Sequence, residues 1–202
     1  MSAVDQSLAR EYFEMLGFLV RQHRKYVVQA REKTADEEID LIVLNPEPTP
    51  GTLPASFEMT SDDLRAVRRA VVVVKGWHTE IFTPSVLRNP DIFKFVEKET
   101  IKEAEKVLGT DGPLLKLLIV PALPASETQK QQSIEMLKAR GVDGVLSFRA
   151  MLLDLIAHIE TNKNYAQSDM LQILRLLKNY DLIKESQLEL FGNKRRKRVV
   201  KQ

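Results

Sequence analysis

The most constraining feature of the sequence is an apolar run, Ala70 to Val74, in which four of the five residues are valine and which ends at Lys75. Valine favours an extended backbone because its branched Cβ crowds a helix. Five apolar residues in succession also leave no polar face for solvent. The run therefore predicts a β-strand that is buried on both faces of a sheet. Such a strand needs helices on both sides of its sheet, which is the arrangement of an α/β protein.

The rest of the pattern places helices and strands around this strand. Apolar residues at helical spacing predict helices, short apolar runs predict strands, and the proline-rich stretch 45–57 predicts a surface loop. The predicted helices cover residues 6–22, 93–108, 126–140, 151–160 and 168–182, and the predicted strands cover 26–28, 38–44, 70–75, 114–120 and 142–148. Gly17 lies inside the first helix or near its end, and in the second case residues 18–20 already lead into a strand. Strands that are close in sequence pair antiparallel, and strands separated by helices pair in parallel. We therefore expect a mixed sheet flanked by helices.

Composition and charge limit the class of protein. The chain has 202 residues, 44% of them hydrophobic, and no cysteine. This length fits a single α/β domain, predicted over residues 1–190, and the absence of cysteine excludes disulfides and cysteine–zinc sites. No apolar run approaches the roughly 20 residues that span a bilayer, and no secretion signal is recognisable. We therefore expect a cytoplasmic protein with no membrane partner.

Basic charge is concentrated at the end of the chain. Six lysines and arginines lie between positions 194 and 201, so the remainder of the chain is net negative. Residues 191–202 are predicted to form a disordered basic tail, which serves either solubility or contact with nucleic-acid phosphates. The candidate phosphate contacts in this tail are Lys194, Arg195, Arg196, Lys197 and Arg198.

Two charged residues interrupt strands that are predicted to be buried. Asp40 lies inside the apolar run 38–44, and Lys75 ends the valine run. A buried charge is costly unless it is paired or binds a ligand. An acid and a lysine on neighbouring strands suggest a site for a divalent cation and a phosphate. We expect their charged groups to lie about 3–6 Å apart, within hydrogen-bonding or one-water reach. In the competing interpretation each residue faces water at a strand end and their pairing is coincidental.

The order of elements and three short segments resemble the PD-(D/E)XK nuclease superfamily, and within it Mrr-type restriction endonucleases and archaeal Holliday-junction resolvases. The segments are Leu16–Arg21, Glu38–Ile42 and Val74–Trp77, and the resemblance covers residues 8–148. It implies a restriction-endonuclease-like αβββαβ core with a mixed central sheet flanked by helices, followed by C-terminal helices. It also implies Mg²⁺-dependent hydrolysis of phosphodiester bonds in DNA, with Mn²⁺ able to substitute.

One position departs from the superfamily pattern. The family places a second carboxylate two residues before the lysine, on the same face of the strand, and this chain has Val73 there. The first helix is the nearest source of a replacement. On a helical wheel Glu11 lies closer to the apolar stripe than Glu14, so Glu11 is the better candidate, and Glu80 is a weaker one.

The resemblance thus implies a catalytic set of Asp40, Lys75 and Glu11. Asp40 and Glu11 would hold Mg²⁺, while Lys75 would orient water or stabilise developing negative charge. A catalytically inactive protein of the same fold, which binds nucleic acid or a protein partner, is the alternative, and Val73 favours it.

Further residues are candidates for contact with DNA. Arg24 and Lys25 lie in a basic cluster after the first predicted helix, and Trp77 is the only tryptophan. An indole can stack on a nucleic-acid base, and it can equally cover the edge of a core. Whether the protein acts as a homodimer or within a larger complex stays open at this stage.

Overall fold

Residues 2–22, 39–50 and 56–183 are described by the structure, a computed structural model. The helices of these residues are α1 (Ala3–Met15), α2 (Ser61–Arg65), α3 (Lys98–Leu108), α4 (Glu127–Ala139), α5 (Phe148–His158) and α6 (Asp169–Asn179). The strands are β1 (Leu19–Gln22), β2 (Leu41–Leu44), β3 (Arg69–Val74), β4 (Leu115–Val120) and β5 (Gly144–Ser147). None of the described helices is both long and apolar enough to cross a membrane.

The five strands form one sheet in the order β1-β2-β3-β4-β5. β1, β2 and β3 pair as an antiparallel meander, whereas β3, β4 and β5 pair in parallel. Parallel neighbours need a crossover, and α3 and α4 lie within the two crossovers. The predicted α/β class and the mixed sheet flanked by helices are confirmed.

The central strand β3 is buried along its whole length, as the valine run predicts. Its alternate side chains divide between two apolar clusters. Val72 and Val74 pack in the cluster that contains residues of α1 and α5. Val71 and Val73 pack in the cluster that contains residues of α3 and α4. We call these two sides of the sheet the α1 face and the α3 face. Even positions along β3 lie on the α1 face and odd positions on the α3 face.

The first helix ends before Gly17. The apolar spacing predicted a helix over 6–22, with Gly17 inside it or near its end and residues 18–20 as a possible start of a strand. α1 stops at Met15 and Leu19–Gln22 form the edge strand β1, so the bound at 22 is wrong and the strand after Gly17 is confirmed. Gly17 lies between them with φ of +90°, a left-handed conformation that glycine adopts without strain. This conformation directs the chain out of the helix and into the sheet. The strand predicted at 26–28 lies outside the described residues.

The helix predicted over 93–108 is also shorter than expected. It begins at Lys98, and the preceding chain forms three short 3-10 turns, Val86–Arg88, Pro90–Ile92 and Lys94–Val96. Pro90 lacks the N–H that a continuous helix needs, which favours such interrupted turns. These turns pack on the α3 face and lie next to the end of β3. The predicted tail, 191–202, lies outside the described residues.

Candidate functional site

Asp40 lies directly before β2, where its carboxylate completes the pairing of β2 with β3. Its Oδ2 accepts a hydrogen bond from the backbone N–H of Val74 at 2.7 Å. Its Oδ1 accepts one from Nε2 of Gln6 on α1 at 2.6 Å. An N–H on this edge of β3 would ordinarily donate to a carbonyl of the partner strand, and here a side-chain oxygen takes that place. Asp40 is only 2% exposed. It therefore joins both strands to α1.

Lys75 follows β3 and lies towards the other side of the sheet. Its backbone N–H donates to Ile119 of β4 at 2.8 Å, so the extended strand geometry continues through this residue. Strand alternation then places its side chain on the α3 face, with Val73. The Lys75 ammonium donates to the backbone oxygen of Asp91 at 3.5 Å and lies 6.0 Å from the ring centroid of Trp77.

Asp40 and Lys75 flank adjacent strands, as the sequence suggests, because β2 pairs with β3. The partners of the two side chains lie on different faces of the sheet, however. Gln6 bonds Asp40 from the α1 face, whereas Lys75 extends towards the turn at Asp91 on the α3 face. Asp40 is thus bonded to α1, whereas strand alternation places Lys75 on the α3 face. That the two residues share one site stays a prediction.

The neighbours of Glu11 differ from those expected of a second metal ligand beside Asp40. It is more buried than Glu14, as the helical wheel predicts, with side-chain exposures of 8% and 46%. Its carboxylate accepts a hydrogen bond from Arg10 at 3.0 Å. Glu11 also lines a cleft formed with residues 164–168, beyond the end of α5. The α1 residue that contacts Asp40 is Gln6, which lies more than one helical turn before Glu11.

These residues do not fit the Mg²⁺ ion that the resemblance implies. Magnesium prefers carboxylate and water oxygens in an octahedral arrangement. Both oxygens of Asp40 already accept N–H donors, Glu11 is paired with Arg10, and Val73 has no ligand atom. In the ranges 2–22, 39–50 and 56–183, no group of three or more His, Asp or Glu side chains is arranged to hold a metal.

A second polar cluster lies on the α1 face, where the chain leaves β3. Asp5, in the first turn of α1, is buried, and its Oδ1 lies 3.1 Å from Nε2 of His78. The same carboxylate packs against Gly76, where a Cβ atom would clash with Oδ2 and lie 2.6 Å from Cγ of Asp5. Glycine at 76 thus allows α1 to approach the strand. The half-exposed ring of His78 packs edge-on against Phe148, with ring centroids 4.7 Å apart.

An open cleft of about 640 Å³ lies beside this cluster. Its lining includes the side chains of Trp77, His78, Glu80, Ser85 and Asn89. We call it the Trp77 cleft. It lies beyond the C-terminal end of β3, which is the edge where open α/β sheets bind their ligands.

Trp77 packs against the core at this cleft. Its indole stacks on Phe82 with ring centroids 5.6 Å apart and an interplanar angle of 24°. Phe82 is fully buried, whereas 38% of Trp77 is exposed. One side of the indole therefore rests on the core, and the residue still offers surface to a ligand.

Sequence reasoning found part of this arrangement. Trp77 and Glu80 were candidates and both line the cleft, but Asp5 and His78 were missed as a pair. The one local signal was Gly76 directly after a buried strand, since a glycine there often marks a close approach of another element. The other candidate contacts, Arg24, Lys25 and residues 194–198, lie outside the described residues.

Comparison with known proteins does not identify a relative. No protein-family model, no curated protein and no solved structure matches the chain. The geometry of the described residues therefore carries the functional argument.

Proposed function

We propose that this chain is a nucleic-acid-binding protein with a PD-(D/E)XK-like fold, and that it binds without hydrolysing its ligand at Asp40. The order of the elements supports the fold, because a meander of three strands is followed by parallel strands across a helical crossover. The Trp77 cleft is the single observation that carries the binding role. It presents an aromatic surface at the ligand-binding edge of the sheet.

The chemistry near Trp77 suits a nucleic acid. Stacking of a base on an aromatic side chain contributes about 1–3 kcal/mol and tolerates any base. The ammonium of Lys75 lies 6.0 Å from the indole centroid, so a positive charge accompanies the aromatic surface. The basic run 194–198 adds charge that attracts phosphates irrespective of sequence. Aromatic stacking with basic charge is the usual combination in proteins that bind single strands.

Asp40 and Val73 support binding over hydrolysis. Both carboxylate oxygens of Asp40 accept hydrogen bonds within the fold. Val73 is 2% exposed among apolar residues, at the position where the superfamily pattern has its second acid. A metal-dependent reaction needs carboxylate oxygens that are available to the metal, and this arrangement offers few of them.

The test combines a binding assay and a cleavage assay on the full chain. Labelled single-stranded and duplex DNA and RNA are titrated at several salt concentrations and followed by fluorescence anisotropy. Linear, supercoiled, single-stranded and branched DNA are incubated with Mg²⁺ or Mn²⁺. We expect binding that weakens as salt increases, with no cleavage.

Matched variants identify the surfaces involved. Trp77→Ala should weaken binding of single strands by about tenfold, the loss of one stacked base. Tyr180→Ala removes another exposed aromatic residue, on a different part of the surface, and should have no effect. Removal of residues 194–202 should flatten the salt dependence, because up to six phosphate contacts are lost.

Two results would overturn the proposal. Metal-dependent cleavage that disappears in Asp40→Asn, with the fold intact, would assign the chain to the active nucleases. Absence of both binding and cleavage would leave a protein partner as the remaining role for this fold.

A further inference from the structure

His78 has a fixed orientation at the Trp77 cleft. Its Nε2 is bound to the buried carboxylate of Asp5, and its ring edge rests on Phe148. A carboxylate at one ring nitrogen fixes the direction of the other nitrogen. Among the described residues, Nδ1 has no hydrogen-bond partner, and the ring lines the cleft. A buried acid therefore holds an imidazole at the wall of an open cavity.

The fold accommodates this arrangement at a specific position. Asp5 reaches His78 only because residue 76 is glycine and leaves space for the carboxylate. The hydrogen bond between Asp5 and His78 joins the start of α1 to the loop after β3. It is independent of the Asp40–Gln6 contact, which joins the same helix to β2.

The side chains around the cleft match the two parts of a nucleotide. Trp77 offers a flat aromatic surface of the kind on which a base stacks. The neighbouring His78 can donate from Nδ1 to a phosphate oxygen when the ring is protonated. Ser85 and Asn89 contribute further polar groups to the lining. The cleft volume of about 640 Å³ lies within the range of small-ligand sites.

We propose that the Trp77 cleft binds one nucleotide of a single-stranded nucleic acid, with its base on Trp77 and its phosphate on His78, positioned by Asp5. This inference rests on the proposed function and names its ligand. The ligand is single-stranded because a paired base inside a duplex has both faces covered by its neighbours and cannot stack on an indole without leaving the helix.

The test uses the intrinsic fluorescence of Trp77. Because the chain has one tryptophan, its emission reports on this cleft alone. A nucleoside monophosphate, the corresponding nucleoside and inorganic phosphate are titrated separately. We expect the monophosphate to change the emission at a concentration about tenfold or more below that needed for the nucleoside, since a charged hydrogen bond to phosphate is gained. Inorganic phosphate alone should have little effect on the emission.

Variants separate the phosphate contact from the stacking contact. His78→Ala should abolish the preference for the monophosphate and leave the response to the nucleoside. Asp5→Asn should reduce the preference, because the carboxylate that orients the ring is lost. His158→Ala is the matched control, since this exposed histidine bonds the Asp154 backbone at the end of α5, and it should leave the preference unchanged. Circular dichroism confirms that each variant is folded.

The outcomes distinguish this inference from the proposed function. Equal responses to nucleoside and monophosphate, or an unchanged preference in folded His78→Ala, would refute the inference. Oligonucleotide binding by anisotropy with unchanged Trp77 emission would also refute it, while nucleic-acid binding itself would stand on a surface other than the Trp77 cleft. If neither oligonucleotides nor the monophosphate bind, both fail.

Discussion

Replacement of Asp40 by alanine distinguishes a structural role of this acid from a metal-binding role. In the structure the carboxylate accepts hydrogen bonds from the Val74 N–H and from the Gln6 amide. Alanine would leave the Val74 N–H buried without this acceptor, and buried backbone donors are nearly always paired. A purely structural role therefore predicts a clear loss of stability, whatever happens to ligand binding.

The magnitude follows from these two contacts. A hydrogen bond to a charged group contributes about 1.5–3 kcal/mol, and an unsatisfied buried donor costs about 1–3 kcal/mol. The Gln6 amide is partly exposed and can turn towards water, so most of the loss comes from Val74. We expect Asp40→Ala to lower the free energy of unfolding by about 2–4 kcal/mol. For a chain of this size the melting temperature should fall by about 5–15 °C.

The measurement is urea unfolding followed by circular dichroism. Asp40→Asn retains a side-chain carbonyl that can accept from Val74, so it should lose only about 1 kcal/mol. Asp62→Ala is the control, because Asp62 is exposed and its pair with Arg65 at 3.7 Å should contribute no more than about 1 kcal/mol. An acid kept for metal binding is usually held at a cost to stability, so its removal leaves the protein equally or more stable. Such a result for Asp40→Ala would refute the structural role and favour the metal site.

Two further changes test the packing around α1. Gly76→Ala should destabilise the protein by about 1–3 kcal/mol, because the added Cβ meets the Asp5 carboxylate, and the loss measured by urea unfolding should be smaller in an Asp5→Ala background. Tyr12→Phe should cost about 1 kcal/mol, because the buried hydroxyl donates to Asp154 at 3.1 Å. Burial, with the Asp154 carboxylate adding to it, raises the pKa of Tyr12 above its ordinary value. Deprotonation of this phenol in the unfolded chain therefore removes stability as pH rises above about 10, and this loss should be absent in Tyr12→Phe.

The fold could be predicted where a local pattern has one physical solution. Five successive apolar residues, four of them β-branched, favour a strand that is covered on both faces, and the helical patterns that follow along the chain point to the α/β class. The end of the first helix was left between Gly17 and residue 22, because apolar spacing continues past Gly17. The conformation of Gly17, with φ of +90°, decides between the two, and spacing alone does not report this conformation.

The candidate site could be predicted only in part, because it depends on the face of the sheet. The sequence places Asp40 and Lys75 beside neighbouring strands, and the pairing of β2 with β3 agrees. It does not reveal that the Asp40 side chain replaces a backbone acceptor, a detail of one residue at the start of a strand. The contact between Asp5 and His78 joins residues 73 positions apart, and no local pattern connects them.

The alternation of side chains along β3 also decides what would surround an acid introduced at position 73. A glutamate at position 73 would enter the apolar cluster of the α3 face, not the α1 face where Asp40 is bonded. The positions of β3 and its extension that lie on the α1 face are Ala70, Val72, Val74 and Gly76, none of which carries a charge. Two hydrogen-bonded pairs lie near the end of β3 on that face, Asp40 with Gln6 and Asp5 with His78. Of these four side chains only His78 lines the Trp77 cleft, so it is the one among them that a ligand in the cleft could contact.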